Sequence, residues 1–158
     1  MKVTNDKSSR KLDAMDLKLI EELEVDGRQT NAELARRIGT SKATARRKLN
    51  ALLDEGVIRV LAVADPSALG YKTVVTMGIN VHPGEVDNVA EKLASYGNIR
   101  FVIISAGRYD VIAWAMFKES EDLSDFIRNE LGNIRGLLSA ETMIYLDIKK
   151  FSITYVGD

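Results

Sequence analysis

The chain has 158 residues, 46% of them apolar and none of them cysteine, which allows two small domains with real cores and excludes a disulfide framework or a thiolate metal site. The net charge of −1 is uneven: residues 1–60 carry 13 Lys and Arg against 10 Asp and Glu, whereas residues 61–158 carry 9 against 13. Nucleic-acid affinity is therefore expected in the first part. No apolar run approaches the ~18 residues of a membrane span and the first residues lack the apolar core of a signal peptide, so we expect a cytoplasmic protein without a membrane partner.

The first elements predicted along the chain are an arm and a helix. Residues 1–11 are polar and basic, which is typical of an arm. Asp13 is placed to cap a helix that ends at Asp26-Gly27. The spacing of apolar residues predicts that its buried stripe is Leu17, Ile20 and Leu23.

A helix-turn-helix is predicted between Thr30 and Ile58. Thr30 and Glu33 have the spacing of a capping box that starts its first helix, and Gly39 supplies a positive φ for the turn. Ser41 is placed to cap the second helix. The buried stripe predicted for that helix is Ala45, Leu49, Leu52 and Leu53.

The second of these helices has the chemistry of a DNA-reading element. Six basic residues and no acidic one lie between Arg36 and Lys48. A helix with Ser, Lys, Thr and Arg near its N-terminal end suits the major groove, where that end meets base edges and phosphates. The alternative is an ordinary helical hairpin with a solvated basic face. The residues predicted to contact double-stranded DNA are Ser41, Lys42, Thr44, Arg46, Arg47 and Lys48.

A linker follows the helix-turn-helix. The run from Val57 to Ala64 predicts a strand that leaves the helical domain, and Asp65-Pro66-Ser67 and Gly70 mark a turn. We therefore expect a DNA-binding domain with its arm and linker strand at residues 1–62, and a second domain at residues 63–158.

The second domain reads as two β-α-β units, the order of a ferredoxin-like fold, so the fold class is α+β: a three-helix N-terminal domain and a βαββαβ C-terminal domain. The predicted elements are a strand at 71–81, a helix after His82-Pro83-Gly84, strands at 99–105 and 110–117, a helix capped by Ser120 that stops at Gly132, and a strand at 140–148.

In the tail at residues 149–156 apolar and polar residues alternate, which predicts a fifth strand that crosses to a partner subunit. The simpler alternative is a frayed terminus.

One face of this sheet is expected to be open. Two helices cover only one face of a four-stranded sheet, and the other face is too apolar to remain exposed to water. A second copy of the chain is the expected cover, which predicts a homodimer. The apolar residues assigned to this face are Val74, Val102, Ile104, Ala113 and Ala115.

Taken in order, these motifs resemble the Lrp/AsnC (feast/famine) transcription regulators. The resemblance implies a sequence-specific DNA-binding regulator, dimers built sheet to sheet that often assemble as an octamer, and an amino-acid effector held between neighbouring dimers. The segments that carry it are Leu12-Asp13 with Asp16, Asp26-Gly27-Arg28, Glu33-Leu34-Ala35, Gly39 with Ser41, Gly56-Val57-Ile58, Asp65-Pro66 with Leu69-Gly70, and Gly107-Arg108-Tyr109-Asp110.

The hairpin from Ala106 to Asp110 is the candidate effector site. Backbone amides around Gly107 could cradle a carboxylate, and Asp110 could pair with an ammonium group. The simpler interpretation is a hairpin turn in which Gly107 takes a positive φ and Asp110 caps the strand. The family often has Thr or Ser where this chain has Ala106, and a Pro-Gly-Val-like turn where it has Arg135-Gly136-Leu137. The residues assigned to the effector site are Ala106, Gly107, Arg108, Tyr109, Asp110, Gly136 and Leu137.

Two other functions compete with a regulator that senses an amino acid or related small molecule. Haem-biosynthesis decarboxylases, which act on sirohaem-type tetrapyrroles, share this two-domain architecture but depend on histidine and arginine, and this chain has one histidine, His82. The other alternative is an architectural DNA-binding protein without an effector. The sequence shows no Ser/His/Asp set, phosphate-binding loop or metal-ligand spacing, so we expect no enzyme, cofactor or metal site.

Overall fold

The computed structural model describes residues 11–150, which form two compact units at 11–63 and 64–150. Nearly all of the predicted arm and most of the predicted fifth strand lie outside the described residues. The elements are α1 Ala14–Val25, α2 Asn31–Ile38, α3 Lys42–Asp54, β1 Thr73–Val81, α4 Val86–Ala94, β2 Ile99–Ile104, β3 Val111–Phe117, α5 Ser120–Asp125, a π-helical turn Phe126–Glu130, a 3-10 turn Leu131–Asn133 and β4 Leu137–Ile144.

The caps predicted for the first three helices are confirmed. Asp13 caps α1 and forms a capping box with Asp16, and Thr30 does the same for α2 with Glu33. The Ser41 hydroxyl accepts a hydrogen bond from the first turn of α3. Each cap satisfies backbone N–H groups that have no partner inside the helix, so these short helices begin at defined residues.

The core of the first unit differs from the predicted stripes at two positions. Leu19 of α1 is fully buried, whereas Leu17, which was predicted to be buried, is 41% exposed. On α3 the predicted core residue Leu53 is 38% exposed, and Lys48 occupies a buried position instead. The reason is that Asp16 of α1 is also buried. A prediction from apolar spacing places every charged residue on the outer face of its helix. Because Asp16 and Lys48 both face the core, the predicted orientation of both helices was wrong.

The predicted linker strand between Val57 and Ala64 is wrong. Residues 58–65 have no regular secondary structure, and Val60, Leu61 and Val63 are all more than half exposed. A strand needs a neighbour to satisfy its backbone N–H and C=O groups. Within residues 11–150 no strand pairs with this segment.

The second unit has the predicted ferredoxin-like topology. Its sheet has the strand order β2-β3-β1-β4, and all three neighbouring pairs are antiparallel. The core lies between one face of the sheet and the helices, with Val75, Met77 and Ile79 of β1 fully buried. None of the helices within residues 11–150 is long and apolar enough to cross a membrane.

The second half of this unit departs from prediction in its element boundaries. Ser120 does not cap α5; the preceding residue, Glu119, does so, and its backbone N–H donates to Asp122 Oδ2 at 3.1 Å. The helical path then continues through the π-helical and 3-10 turns, one residue past the predicted end at Gly132. β4 begins and ends earlier than predicted, and Leu146 is almost fully exposed beyond it.

Of the five residues predicted for the open face of the sheet, only Val74 lies on it. Ala113 and Ala115 are fully buried on the core side, and Val102 and Ile104 lie on that side because they pair with Ala113 and Val111. β3 is apolar at every position, so no alternation marks its outer face, and the register of β2 shifts between Ile99 and Phe101. The outward-facing apolar residues are Val74, Phe101, Ile103, Ile112, Trp114 and Met143.

Candidate DNA-binding and effector sites

The turn between α2 and α3 has the predicted geometry. Gly39 lies in the left-handed region with φ +73°, and its N–H donates to Ala35 O. The N–H of Thr40 also donates to Ala35 O, at 2.8 Å. A residue with a side chain would be strained at this φ. The glycine therefore ends α2 and allows α3 to begin three residues later, at Lys42.

Three of the predicted DNA contacts share one exposed surface of α3. Lys42, Arg46 and Arg47 are exposed and line an open groove along the helix. Asn50 lies in the same groove, one turn beyond Arg46, and sequence reasoning missed it. The i, i+4 spacing from Lys42 through Arg46 to Asn50 was the signal that could have found it. The groove is also lined by Ala43, Ala51 and Asp54.

Ser41 and Thr44 bond to each other at the start of α3. The Ser41 hydroxyl accepts from the Thr44 N–H at 3.1 Å and donates to Thr44 Oγ1 at 2.9 Å. Ser41 is exposed and Thr44 is half-buried. Their hydrogen bonds fix the N-terminal end of the helix, so both side chains support the exposed surface even before any contact with DNA is considered.

Lys48 does not lie with these residues, which corrects its prediction as a DNA contact. Its Nζ is 2.6 Å from Asp13 Oδ2 and 2.8 Å from Asp16 Oδ1, and the residue is 9% exposed. The hydrogen bond from Lys48, with one from the Asp16 backbone, lowers the pKa of Asp13 to about 2. Hydrogen bonds with Asp13 and Asp16 raise the pKa of Lys48, so its ammonium stays charged inside the first unit.

The candidate effector hairpin is a closed turn. The N–H of Ser105 donates to Asp110 O at 2.9 Å, and the Ser105 hydroxyl donates to Tyr109 O at 2.6 Å. Gly107, with φ +150°, has open space where a side chain would stand. Ala106 and Gly107 therefore form an exposed tip between β2 and β3.

Asp110 ties this hairpin to the end of β1. Its Oδ2 accepts from the Val81 N–H at 2.9 Å, and its own N–H donates to Ile79 O at 3.0 Å. This contact lies at the point where the pairing of β1 with β4 shifts register. One oxygen of the carboxylate thus satisfies the backbone, as in the strand-capping interpretation of the sequence.

The other predicted segment, Gly136-Leu137, meets the same end of β1. Leu137 pairs with Val81, and Gly136 O accepts from the His82 N–H at 2.8 Å. Gly136 has φ +90°, and a Cβ there would lie 2.7 Å from the Cβ of Glu85. The structure therefore brings Asp110, Gly136 and Leu137 together around Val81.

Arg108 and Tyr109 extend instead over the open face of the sheet. The Tyr109 ring lies against Gly78 of β1, where an added Cβ would be 2.6 Å from the ring. The Tyr109 hydroxyl donates to the Glu141 carboxylate, which also pairs with Arg108 at 3.1 Å and raises the pKa of Tyr109. Sequence reasoning missed Gly78 and Glu141, although a glycine inside a strand is a signal of close approach.

No group of three His, Asp or Glu side chains within residues 11–150 is arranged to hold a metal ion.

Two family models match the chain. The first, described as winged helix-turn-helix DNA-binding, matches residues 12–59. The second, described as the Lrp/AsnC ligand binding domain, matches residues 74–154, which is more than half of the chain. The chain belongs to the Lrp/AsnC family.

Similar members of the Lrp/AsnC family occur in Pyrococcus. The HTH-type transcriptional regulator FL11 of Pyrococcus furiosus is 35% identical, over 88% of this chain and 92% of the relative. The HTH-type transcriptional regulator LrpA of Pyrococcus horikoshii is 31% identical, over 86% of this chain and 97% of the relative. Both relatives are named as transcriptional regulators, so this chain is a DNA-binding transcription regulator with an Lrp/AsnC ligand-binding domain.

Solved structures show the same fold. AsnC of E. coli is 23% identical and superposes with a TM-score of 0.85, covering 92% of this chain and 99% of AsnC. A transcriptional regulator of Neisseria meningitidis in complex with L-Met is 22% identical and also has a TM-score of 0.85, covering 92% of this chain and 96% of that regulator. The α+β fold with an N-terminal helix-turn-helix is therefore that of AsnC.

Proposed function

We propose that this regulator reads double-stranded DNA through the outer surface of α3, as a homodimer that assembles further to an octamer, and that an amino acid or related small molecule binds its second unit. The observation that supports the DNA surface most strongly is the exposure of Lys42, Arg46 and Arg47 along one groove. Relatives named as transcriptional regulators favour this non-enzymatic function.

The groove side of α3 suits both kinds of DNA contact. The guanidinium groups of Arg46 and Arg47 can bind the edge of a guanine through two parallel hydrogen bonds or bind phosphate. Lys42 lies in the first turn of the helix, where backbone N–H groups and the positive end of the helix dipole also attract phosphate. Ser41 and Thr44 flank the same helix end and complete the proposed contact surface.

The test of the DNA surface compares Arg46→Ala and Arg47→Ala with Arg28→Ala. Arg28 lies before α2 in an exposed ion pair with Asp26, so its loss removes the same charge away from α3. Kd is measured on DNA sites selected with the parent protein, over a range of salt concentrations. A base contact is worth about 1–3 kcal/mol and its loss relaxes specificity, whereas a lost phosphate contact reduces the salt slope by about one.

Unchanged affinity in both α3 variants, with the fold intact, would contradict the proposed surface.

The positions at which the protein binds across a genome distinguish a sequence-specific regulator from an architectural DNA-binding protein. Strong binding at a few defined sites supports a sequence-specific regulator. Even binding along the genome supports an architectural protein.

The proposed effector site is the end of β1 where the hairpin and the last turn meet. The match to an Lrp/AsnC ligand binding domain and the L-Met complex of the Neisseria relative support a small-molecule effector of the amino-acid class. We expect the backbone N–H groups at the exposed tip, Ala106 and Gly107, to bind its carboxylate. Asp110 supplies a negative charge for an ammonium group, next to Gly136 and Leu137.

A thermal-shift screen of the twenty amino acids on the full chain tests this site, because a ligand that binds only the native state raises Tm. The informative variant is Asp110→Asn, since its amide oxygen can still accept from the Val81 N–H while the charge is lost. We expect the ligand-induced rise in Tm to be lost in this variant. It should persist in Asp125→Asn, which makes the same change at an exposed position of α5. A rise that survives in Asp110→Asn would place the site elsewhere.

A further inference from the structure

The ion pair between Lys48 and α1 occupies a position where an apolar side chain is expected. Lys48 lies three residues after Ala45 and four before Leu52, both fully buried, so its side chain leaves α3 on the side that packs in the core. There its ammonium contacts Asp13 and Asp16, two carboxylates from the first turn of α1. The contact therefore joins the middle of the recognition helix to the start of another helix.

Stability alone is a poor explanation of this arrangement. Removing an ammonium and a carboxylate from water is costly, and well-packed apolar residues of similar size often stabilise a core equally well or better. An apolar contact tolerates sliding and rotation, whereas an ammonium held by two oxygens has a defined direction. The two hydrogen bonds of Lys48, at 2.6 and 2.8 Å, thus hold this side of α3 towards the start of α1.

The rotation of α3 matters because the exposed groove lies on its other side. Lys42, Arg46 and Arg47 project from the same rigid helix as Lys48. Side-chain ends lie about 5–6 Å from a helix axis, so a rotation of about 20° displaces them by about 2 Å. Such a displacement is larger than the tolerance of a bidentate contact to a base edge.

We propose that Lys48, held by Asp13 and Asp16, is a positioning residue that sets the orientation of α3 on DNA and thereby its sequence specificity, without contacting DNA itself. This proposal rests on the proposed function of the outer surface of α3. It predicts that the ion pair is required for discrimination between DNA sequences more than for folding.

The test replaces the buried pair by apolar residues, Lys48→Met with Asp16→Leu, and compares it with Lys48→Arg. The full chain is used, and three quantities are measured: Tm, the ratio of Kd values for a selected DNA site and the same site with one base pair changed, and the salt slope of binding. We expect the double variant to fold, to keep the salt slope of the parent, and to lose about tenfold or more of the Kd ratio, the equivalent of one base contact. Lys48→Arg keeps the charge and both acceptors, so the ratio should be retained.

A folded double variant with the parent Kd ratio would overturn the proposal, and so would a salt slope lowered by about one, because that would make Lys48 a phosphate contact. If the double variant does not fold, Asp13→Ser takes its place, since Ser caps α1 equally well but is too short to reach Lys48. A lowered ratio in Asp13→Ser supports the proposal and an unchanged ratio overturns it. The Arg46 and Arg47 variants separate the two claims: if they weaken binding while the Lys48 variants keep the parent ratio, only the positioning role is wrong.

Discussion

At the scale of single residues, Asp13 links the stability of the first unit to pH. Hydrogen bonds from Lys48 and the backbone lower its pKa from 3.8 to about 2. The folded state therefore holds the proton more weakly than the unfolded chain. The charged carboxylate stabilises the fold above pH 3.8, and this contribution is lost as the pH falls towards 2.

Asp13→Asn tests this dependence because asparagine is an equally good helix cap. We expect the variant to have a lower Tm than the parent near neutral pH, and the difference to narrow as the pH falls from 3.8 towards 2. Calorimetry at a series of pH values measures it. A difference in Tm that stays constant with pH would show that the charge of Asp13 is not its source.

Gly78 shows a close approach that only a glycine permits. An alanine Cβ at this position would lie 2.6 Å from the Tyr109 ring, so Gly78→Ala must displace that ring and its hydrogen bond to Glu141. We expect a loss of about 1–3 kcal/mol in the free energy of unfolding of the second unit, measured with urea. Gly97→Ala is the matched control, because nothing lies within 4 Å of its added Cβ, and its effect should stay within about 1 kcal/mol.

A double variant identifies Tyr109 as the cause. Once the ring is removed by Tyr109→Ala, the additional loss caused by Gly78→Ala should be smaller than in the parent, because the clash no longer exists. Equal losses in both backgrounds would show that the glycine is required for another reason.

Residues with local partners could be predicted and those with distant partners could not. The Thr30–Glu33 capping box spans three residues and is visible as a spacing. Lys48 meets Asp16 across 32 residues and Tyr109 meets Glu141 across 32 residues, so no local pattern records either contact. The prediction of Lys48 as a DNA contact rests on the run of six basic residues from Arg36 to Lys48, and that composition does not show which of the six is buried.

At the scale of secondary-structure elements, the difference between a correct and a wrong strand prediction is whether a neighbouring strand pairs with the segment within residues 11–150. The apolar run after Gly56 has the composition of a strand but no neighbouring strand, and it remains irregular. β1 has the same kind of composition, pairs with β3 and β4, and forms as predicted. Composition indicates the ability to form a strand, and pairing decides whether the strand exists.

The buried face of a strand could be identified from the sequence only where apolar and other residues alternate. In β1 the alternating residues Val75, Met77, Ile79 and Val81 are all buried. In β3 every residue from Val111 to Phe117 is apolar, and the two faces could not be distinguished from the sequence. This explains why Ala113 and Ala115 were placed on the open face although they form part of the core.

At the scale of the whole molecule, the predicted order of the elements was correct, whereas several of their predicted boundaries were not. Two β-α-β units in succession predicted the ferredoxin-like strand order, although the starts of α5 and β4 were wrong. The candidate effector site was only partly predictable. The resemblance to the Lrp/AsnC family assigned Asp110 and Gly136-Leu137 to one site, and they do meet at Val81 because two loops converge on one end of β1. The spacing of the residues alone carried no sign of this contact.

The exposed apolar face of the sheet predicts that copies of the chain associate. Phe101 and Ile103 are 53% and 38% exposed on the same face as Trp114, an apolar surface that a second copy would bury. We expect a dimer or octamer at low micromolar concentration in the parent. Phe101→Glu or Ile103→Glu should shift it to monomer, because a buried carboxylate without a partner is costly.

Light scattering coupled to gel filtration measures the mass and distinguishes dimer from octamer. The control is Val25→Glu, the same apolar-to-acidic change at a position 79% exposed at the end of α1, outside the sheet, and it should leave the mass unchanged. Because a twofold dimer presents two copies of α3, the monomeric variants should also lose affinity for DNA with two half-sites and keep their weak affinity for one. A parent that is monomeric, or glutamate variants that keep the parent mass, would show that a second copy does not cover this face.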